Sequence, residues 1–300
     1  MSLALSTVIL PYQRWDEGAR ASWIRAEELG FEAAYTYDHL SWRTFRDGPW
    51  FGAVPTLTAA AAATKRIRLG TLVTNPNFRH PVTLAKDLIS LDDISRGRIT
   101  LGIGAGTTGF DAAVLGQDAW SPRERADRFA EFVALLDRLL TEPDVTSDGT
   151  FYSAYEARNL PGCVQWPRLP FAVAATGPRG LALAAAYGQA WVTTGDDKLF
   201  ADGSPEQSDA AIAGQIGRLE EACAAIDRDP RGIRRILLTG FTPEANAPLQ
   251  SFEAFIDFAG RHRDLGFDEI VIHWPIPDSD FAAPYDVFEQ IATDALAQLG

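Results

Sequence analysis

Apolar and polar positions change period repeatedly along this chain, and the changes come in pairs. Short apolar runs at Leu3–Ile9, Ala33–Tyr37, Ile67–Val73, Ile99–Ile103, Phe171–Ala175, Ala190–Thr194, Ile233–Thr239 and Glu269–His273 read as buried strands. Between them apolar residues recur at helical spacing over Glu17–Leu29, Phe51–Ala63, Pro81–Ser95, Pro122–Leu140, Gly180–Tyr187, Ala210–Ala225, Phe252–Leu265 and Tyr285–Leu299. Pro81–Ser95 shows the pattern well: Val82, Leu84, Ala85, Leu88, Ile89 and Leu91 share a face, and Gly97 stops the helix. One boundary echoes. Glu28-Leu29-Gly30-Phe31-Glu32 recurs as Asp264-Leu265-Gly266-Phe267-Asp268, each a glycine-capped helix end running into a buried strand.

This alternation predicts an α/β protein with one domain over residues 1–300, a (β/α)8 barrel. A doubly wound open sheet would use fewer of the strands, and no linker divides the chain into halves. Insertions are expected after strands 4, 5 and 7, at Thr107–Ser121, Val145–Arg168 and Gly195–Ser208. The second holds a hairpin over Val145–Tyr152, around Asp148-Gly149, and the third is polar and turn-rich, as a lid would be.

Composition narrows the function. The 46% hydrophobic residues supply an ample core, and the net charge of −13 argues against a general nucleic-acid binder while leaving room for a local basic pocket. Cys163 and Cys223 form no metal-binding spacing and no disulfide framework, which fits a reducing cytoplasm. The apolar start Leu3–Leu10 has no basic segment before it, and no run approaches the ~18–20 apolar residues of a membrane helix. Neither a signal peptide nor a membrane span is expected.

Candidate chemistry gathers where strands end, the usual place for barrel active sites. Asp38-His39 closes the second strand, and histidine exchanges protons near neutral pH; a solvated turn is the plain alternative. Trp42 is a wall for a flat ligand or a core residue. Gly104-Ala105-Gly106-Thr107-Thr108-Gly109 matches a dinucleotide fingerprint in form, but it follows the fourth strand and lacks the acidic strand end about 20 residues on. Bare backbone touching a ligand reads better. Ala175-Thr176-Gly177-Pro178-Arg179 leads into a helix, either as an anion site or as ordinary helix-start chemistry. Arg79-His80-Pro81 either reaches the pocket or only introduces its helix. Tyr12, Trp50, Phe110, Trp274 and Tyr285 are further aromatic candidates for a substrate wall, with packing as the default for each. Four histidines without a ligand spacing argue against a metal, and no Gly-x-Ser-x-Gly elbow is present. The chemistry therefore points to a bound organic cofactor.

Motifs in a fixed order carry a resemblance. They are Glu28-Leu29-Gly30-Phe31, Asp38-His39, Leu69–Pro76 with Arg79-His80-Pro81, Leu91-Asp92, Ser95-Arg96-Gly97-Arg98, Leu101–Gly106, Gly177-Pro178-Arg179 and Ala190-Trp191-Val192-Thr193. By these the chain resembles the bacterial luciferase-like family of flavin- and F420-dependent oxidoreductases over almost its whole length. The resemblance implies a barrel that binds the deazaflavin F420, or reduced FMN, at the C-terminal ends of its strands. It also implies a non-proline cis peptide at Leu72-Val73, and ring and chain contacts from Thr71, Leu72, Val73, Thr74, Asn75, Gly104, Ala105 and Gly106. It puts the phosphate near the backbone of Ala105-Gly106 and near Ala175, Thr176, Gly177, Pro178 and Arg179, the active-site histidine at His39 with Asp38 beside it, and the substrate side at Trp42. Such proteins are often homodimers. The sugar-phosphate dehydrogenases of the family place an acidic residue after the glycine-rich loop, where this chain has Thr107, so that specific activity is not expected. The reading is an F420-dependent oxidoreductase; the alternatives are a monooxygenase using reduced FMN and oxygen, and a flavin-binding protein without turnover.

Overall fold

Alternation along the strands decides which side chains enter the barrel. In the second strand Ala33 and Tyr35 point inward and Ala34 outward, and in the last strand Val271 points inward between Ile270 and Ile272. The computed structural model describes residues 3–196, 199, 204–242 and 244–299. Its barrel strands are β1 (Ala4–Val8), β2 (Ala33–Thr36), β3 (Arg68–Thr74), β4 (Ile99–Gly104), β7 (Phe171–Ala174), β8 (Ala190–Thr193), β9 (Arg234–Leu238) and β10 (Glu269–His273). All pair in parallel and close in the order β1-β10-β9-β8-β7-β4-β3-β2, the predicted (β/α)8 barrel.

Around it run α1 (Ala19–Glu28), α2 (Ala53–Ala63), α3 (Pro81–Ser95), α4 (Pro122–Thr141), α5 (Pro178–Tyr187), α6 (Pro205–Ala224), α7 (Phe252–Asp264) and α8 (Tyr285–Leu299). Most of the core lies between this ring and the strands, where Trp23, Leu84, Phe129, Phe132 and Phe288 are fully buried. A smaller cluster fills the barrel. Among the described residues, no helix is long and apolar enough to cross a membrane.

The expected insertions sit differently from their strand count. Residues 107–121 follow the fourth barrel strand, as predicted. The hairpin segment lies on the return path from α4, before the fifth barrel strand; its strands are β5 (Asp144–Asp148) and β6 (Ser153–Arg158), paired antiparallel. Five of the six β6 side chains are not buried, so this strand shows no apolar pattern in the sequence. The Glu131 carboxylate of α4 pins the turn by accepting from the backbone N–H of Thr150, Phe151 and Tyr152. The candidate lid follows the sixth barrel strand, not the seventh, and its residues 197–198 and 200–203 lie outside the described residues.

At one place the inward–outward alternation breaks. The β3–β4 register shifts between Thr71 and Thr74, so Leu72 joins the barrel interior and Val73 packs beside it. The Leu72-Val73 peptide is cis, as the resemblance implies. Close approach of β3 and β4 requires glycine there: a Cβ on Gly102 would stand 2.1 Å from the Thr71 carbonyl oxygen.

Candidate active site

Two neighbours in sequence, Asp38 and His39, have opposite environments. Asp38 is buried, and its carboxylate is fully engaged: Arg79 donates through Nε (3.0 Å) and an Nη (2.6 Å), and Thr74 Oγ1 donates at 2.8 Å. Thr71 Oγ1 donates to the Gly102 carbonyl at 2.9 Å. Asp38, Thr71 and Thr74 therefore sit behind the site and hold the end of β2 against β3; none of them lines the cavity. Desolvation works against the Arg79 charge, but Asp38 outweighs it and the guanidinium pKa is raised. His80 turns away as the cap of α3, its Nδ1 accepting the Val82 N–H at 3.2 Å.

His39 instead lines a cavity of about 980 Å³ at the C-terminal mouth of the barrel, at the large end of ligand cavities (about 300–1,000 Å³). Its Nδ1 is hydrogen-bonded to Asp111 Oδ2, while Asp111 Oδ1 accepts from the N–H of Leu40 (2.9 Å) and Ser41 (3.3 Å). One buried carboxylate thus fixes both the imidazole and the loop that carries it. With Nδ1 committed, the neutral ring carries its proton there and keeps a lone pair on Nε2, which has no protein partner among the described residues. Trp42 lies beside the imidazole, with ring centroids 4.4 Å apart, and Tyr37 and Phe241 complete an aromatic wall.

Asp111 was not among the residues singled out from the sequence. It sits in a short 3-10 turn, Phe110–Ala112, within the insertion after β4, 72 positions from His39. The turn is held by Gln117, whose side chain donates to the carbonyls of Asn77 and Ala112, each at 3.3 Å. An acidic residue in an insertion that follows a glycine-rich strand end was the available signal. The family resemblance implies an acid four positions earlier, where this chain has Thr107.

The rest of the cavity gathers the other predicted segments. Leu72, Val73 and Asn75 form one side, Gly104–Gly106 the rim, and residues 175–179 the far side. Gly106 has φ +75°, and a Cβ there would stand 2.9 Å from Asn77 Oδ1, so glycine is required at this corner. The N-terminus of α5 has no side-chain cap, which leaves its first backbone N–H groups free for an anion. Arg179 lines this end but is paired with Asp127 of α4, so its charge is already largely balanced. Of the further aromatic candidates only Phe110 lines the cavity; Tyr12, Trp50, Trp274 and Tyr285 do not.

The sequence profile of the luciferase-like monooxygenases matches residues 17–247. This chain belongs to that family. Among curated relatives, an F420-dependent glucose-6-phosphate dehydrogenase of Beutenbergia cavernae is 38% identical over 57% of this chain and 50% of its own length. A 4-hydroxyprotoasukamycin monooxygenase of Streptomyces nodosus subsp. asukaensis is 34% identical over 60% of this chain and 47% of its own length. The chain thus spans about half the length of these relatives. The coenzyme F420-dependent tetrahydromethanopterin reductase of Methanopyrus kandleri superimposes with a TM-score of 0.77 at 18% identity, covering 100% of both chains, which shows a common fold.

Proposed function

We propose that this luciferase-like protein is an F420-dependent oxidoreductase that moves a hydride between the deazaflavin C5 and a small organic substrate, with His39 handling the accompanying proton. The observation that carries this reading is the state of His39: Nδ1 held by a buried carboxylate, Nε2 without a protein partner among the described residues, and the ring on the wall of the large cavity. A flat tricyclic ring and a phosphorylated chain fit the surroundings. Leu72, Val73 and Val192 offer an apolar bed, Gly104 and Gly106 keep the rim low, and the uncapped start of α5 offers N–H groups to a phosphate. Resemblance to relatives named for F420 supports the choice of cofactor.

When bound, the deazaflavin supplies a carbon that accepts or gives a hydride. The chain supplies the rest. His39 Nε2 takes the hydroxyl proton of an alcohol as it becomes a carbonyl, or returns that proton in the reverse direction. Asp111 fixes the tautomer and stabilises the imidazolium that forms. Trp42, Tyr37 and Phe241 shape the substrate side and keep water from it. The reading extends to a cytoplasmic homodimer, supported by the family resemblance and, for the compartment, by two free thiols.

Titration of the purified protein with F420 and with FMN tests the assignment. Tight F420 binding with weak FMN binding is the expected result. Tight FMN binding alone, with oxygen consumed on reduction, would replace it with the monooxygenase reading. Binding of either cofactor without turnover across a panel of alcohols and carbonyls would favour a flavin-binding protein.

A further inference from the structure

The substrate side of the cavity carries one charged group that its surroundings leave unneutralised. Arg43 follows Trp42 directly and lines the same cavity. Its guanidinium carbon lies 5.0 Å from the Trp42 ring centroid and 4.9 Å from that of Phe241, two rings inclined at 71° to one another. The cation therefore rests in an aromatic corner. Among the described residues it has no carboxylate partner and no side-chain hydrogen bond. The other charges on this cavity are committed. Asp111 is bound to His39 and two backbone N–H groups, and Arg179, on the far side, is paired with Asp127. Arg43 itself adopts a positive φ of 34°, uncommon for a side-chain-bearing residue.

We propose that the substrate of this site carries an oxyanion group, a carboxylate or phosphate, which the Arg43 guanidinium binds while an apolar body lies against Trp42 and Phe241. The inference rests on the oxidoreductase reading only in assigning this half of the cavity to substrate. The guanidinium and the His39 imidazole both lie against the Trp42 ring. The protein's net charge of −13 makes the local cation more telling, because an anionic substrate gains nothing from the overall field. The rival source of an oxyanion is the cofactor's own tail, so the test has an arm for each.

Benzoate and its uncharged isostere benzamide serve as probes, titrated calorimetrically into the full-length protein with and without F420. Benzoate is expected to bind at least about tenfold more tightly than benzamide, a charge-assisted contact being the difference. R43Q should erase that ratio and R43K recover part of it. R46Q, which removes a cation three residues away that lies over Phe110, should leave it intact. F420 affinity of R43Q should stay within about twofold of the parent. Equal binding of the two probes, a ratio that survives R43Q, or an equal loss in R46Q would overturn the proposal. A fall in F420 affinity in R43Q that matches the loss of benzoate would reassign Arg43 to the cofactor. Failure of the parent protein to bind F420 would sink the oxidoreductase reading while the probe ratio on the unloaded protein still decided the role of Arg43.

Discussion

The two ends of the barrel each bury a carboxylate beside a ring-bearing partner, and they use it differently. Near the N-terminal end, Glu269 opens β10 and meets the Tyr35 hydroxyl at 3.2 Å and Arg234 Nε at 3.0 Å. Burial pushes the Glu269 pKa up against the pull of Arg234, and drives the Tyr35 hydroxyl well above its usual value. Glu269, Tyr35 and Arg234 line none of the three best-formed cavities among the described residues. At the C-terminal end, Asp111 holds His39 through one ring nitrogen, and among the described residues the second has no protein partner while the ring lines a cavity. A buried ionisable pair is therefore not by itself a sign of catalysis. What separates the two is one uncommitted atom facing space that a ligand can fill.

The largest effect should come from removing that atom. We expect His39→Ala to lower kcat by about 10³-fold, the usual scale for a lost proton-transfer group, with F420 affinity retained. Steady-state kinetics beside a binding titration check this; parent-like turnover with cofactor bound would reduce His39 to a wall residue. Asp111→Asn should cost about 10²-fold in kcat, because an amide no longer stabilises the imidazolium and can hold the ring in the wrong tautomer. A change in KM alone would mean that Asp111 only shapes the loop.

The same distinction explains how much was legible in the sequence. The barrel was, because strand and helix periods differ and each glycine-ended helix announced its strand. The family motifs were legible as a set but not by role. Asp92 proves to anchor the residues before β7, accepting from the Val164 and Gln165 N–H groups at 2.7 and 3.0 Å. Arg98 ties α2 to β3 through the carbonyls of Ala61, Thr64 and Ile67. Asp38 likewise braces its strand end, whereas its neighbour faces the cavity. Sequence adjacency says nothing about which way a side chain turns after a strand ends. Asp111 stayed hidden for a related reason: it reaches His39 through a loop that has no period to read.

At the closed end, substitution should separate stability from turnover. Glu269→Ala leaves the Tyr35 hydroxyl without its acceptor and removes packed atoms, so we expect a loss of about 2 kcal/mol. Glu269→Gln keeps an acceptor and should cost less than about 1 kcal/mol, since the site already disfavours the charge. Denaturant unfolding measures both, and kcat should hold in each. A hundredfold fall in kcat from Glu269→Gln would mean that the two ends communicate and would dissolve the contrast.

The smallest effect concerns His273, which closes β10 beneath the cavity and shows how an imidazole behaves when both nitrogens are taken. Tyr37 Oη lies 2.6 Å from its Nε2 and Thr239 Oγ1 lies 3.0 Å from its Nδ1. Burial lowers its pKa from 6.5 to about 3, so the folded protein keeps it neutral where the unfolded chain takes a proton. The sign follows: its contribution to stability is complete above pH 6.5 and is lost as pH falls toward 3. Replacing it with asparagine removes that titration. We expect His273→Asn to be about 1 kcal/mol less stable than the parent at pH 7, from lost hydrogen bonding and packing. The gap should close near pH 6 and reverse by pH 4, because only the parent loses stability, about 1.4 kcal/mol per pH unit below 6.5, for keeping a histidine unprotonated. Thermal unfolding of both proteins across that range reads the difference directly, with other titrating groups common to the two. A gap that stays constant would mean His273 takes up a proton in the fold, as His39 is proposed to do at the open end.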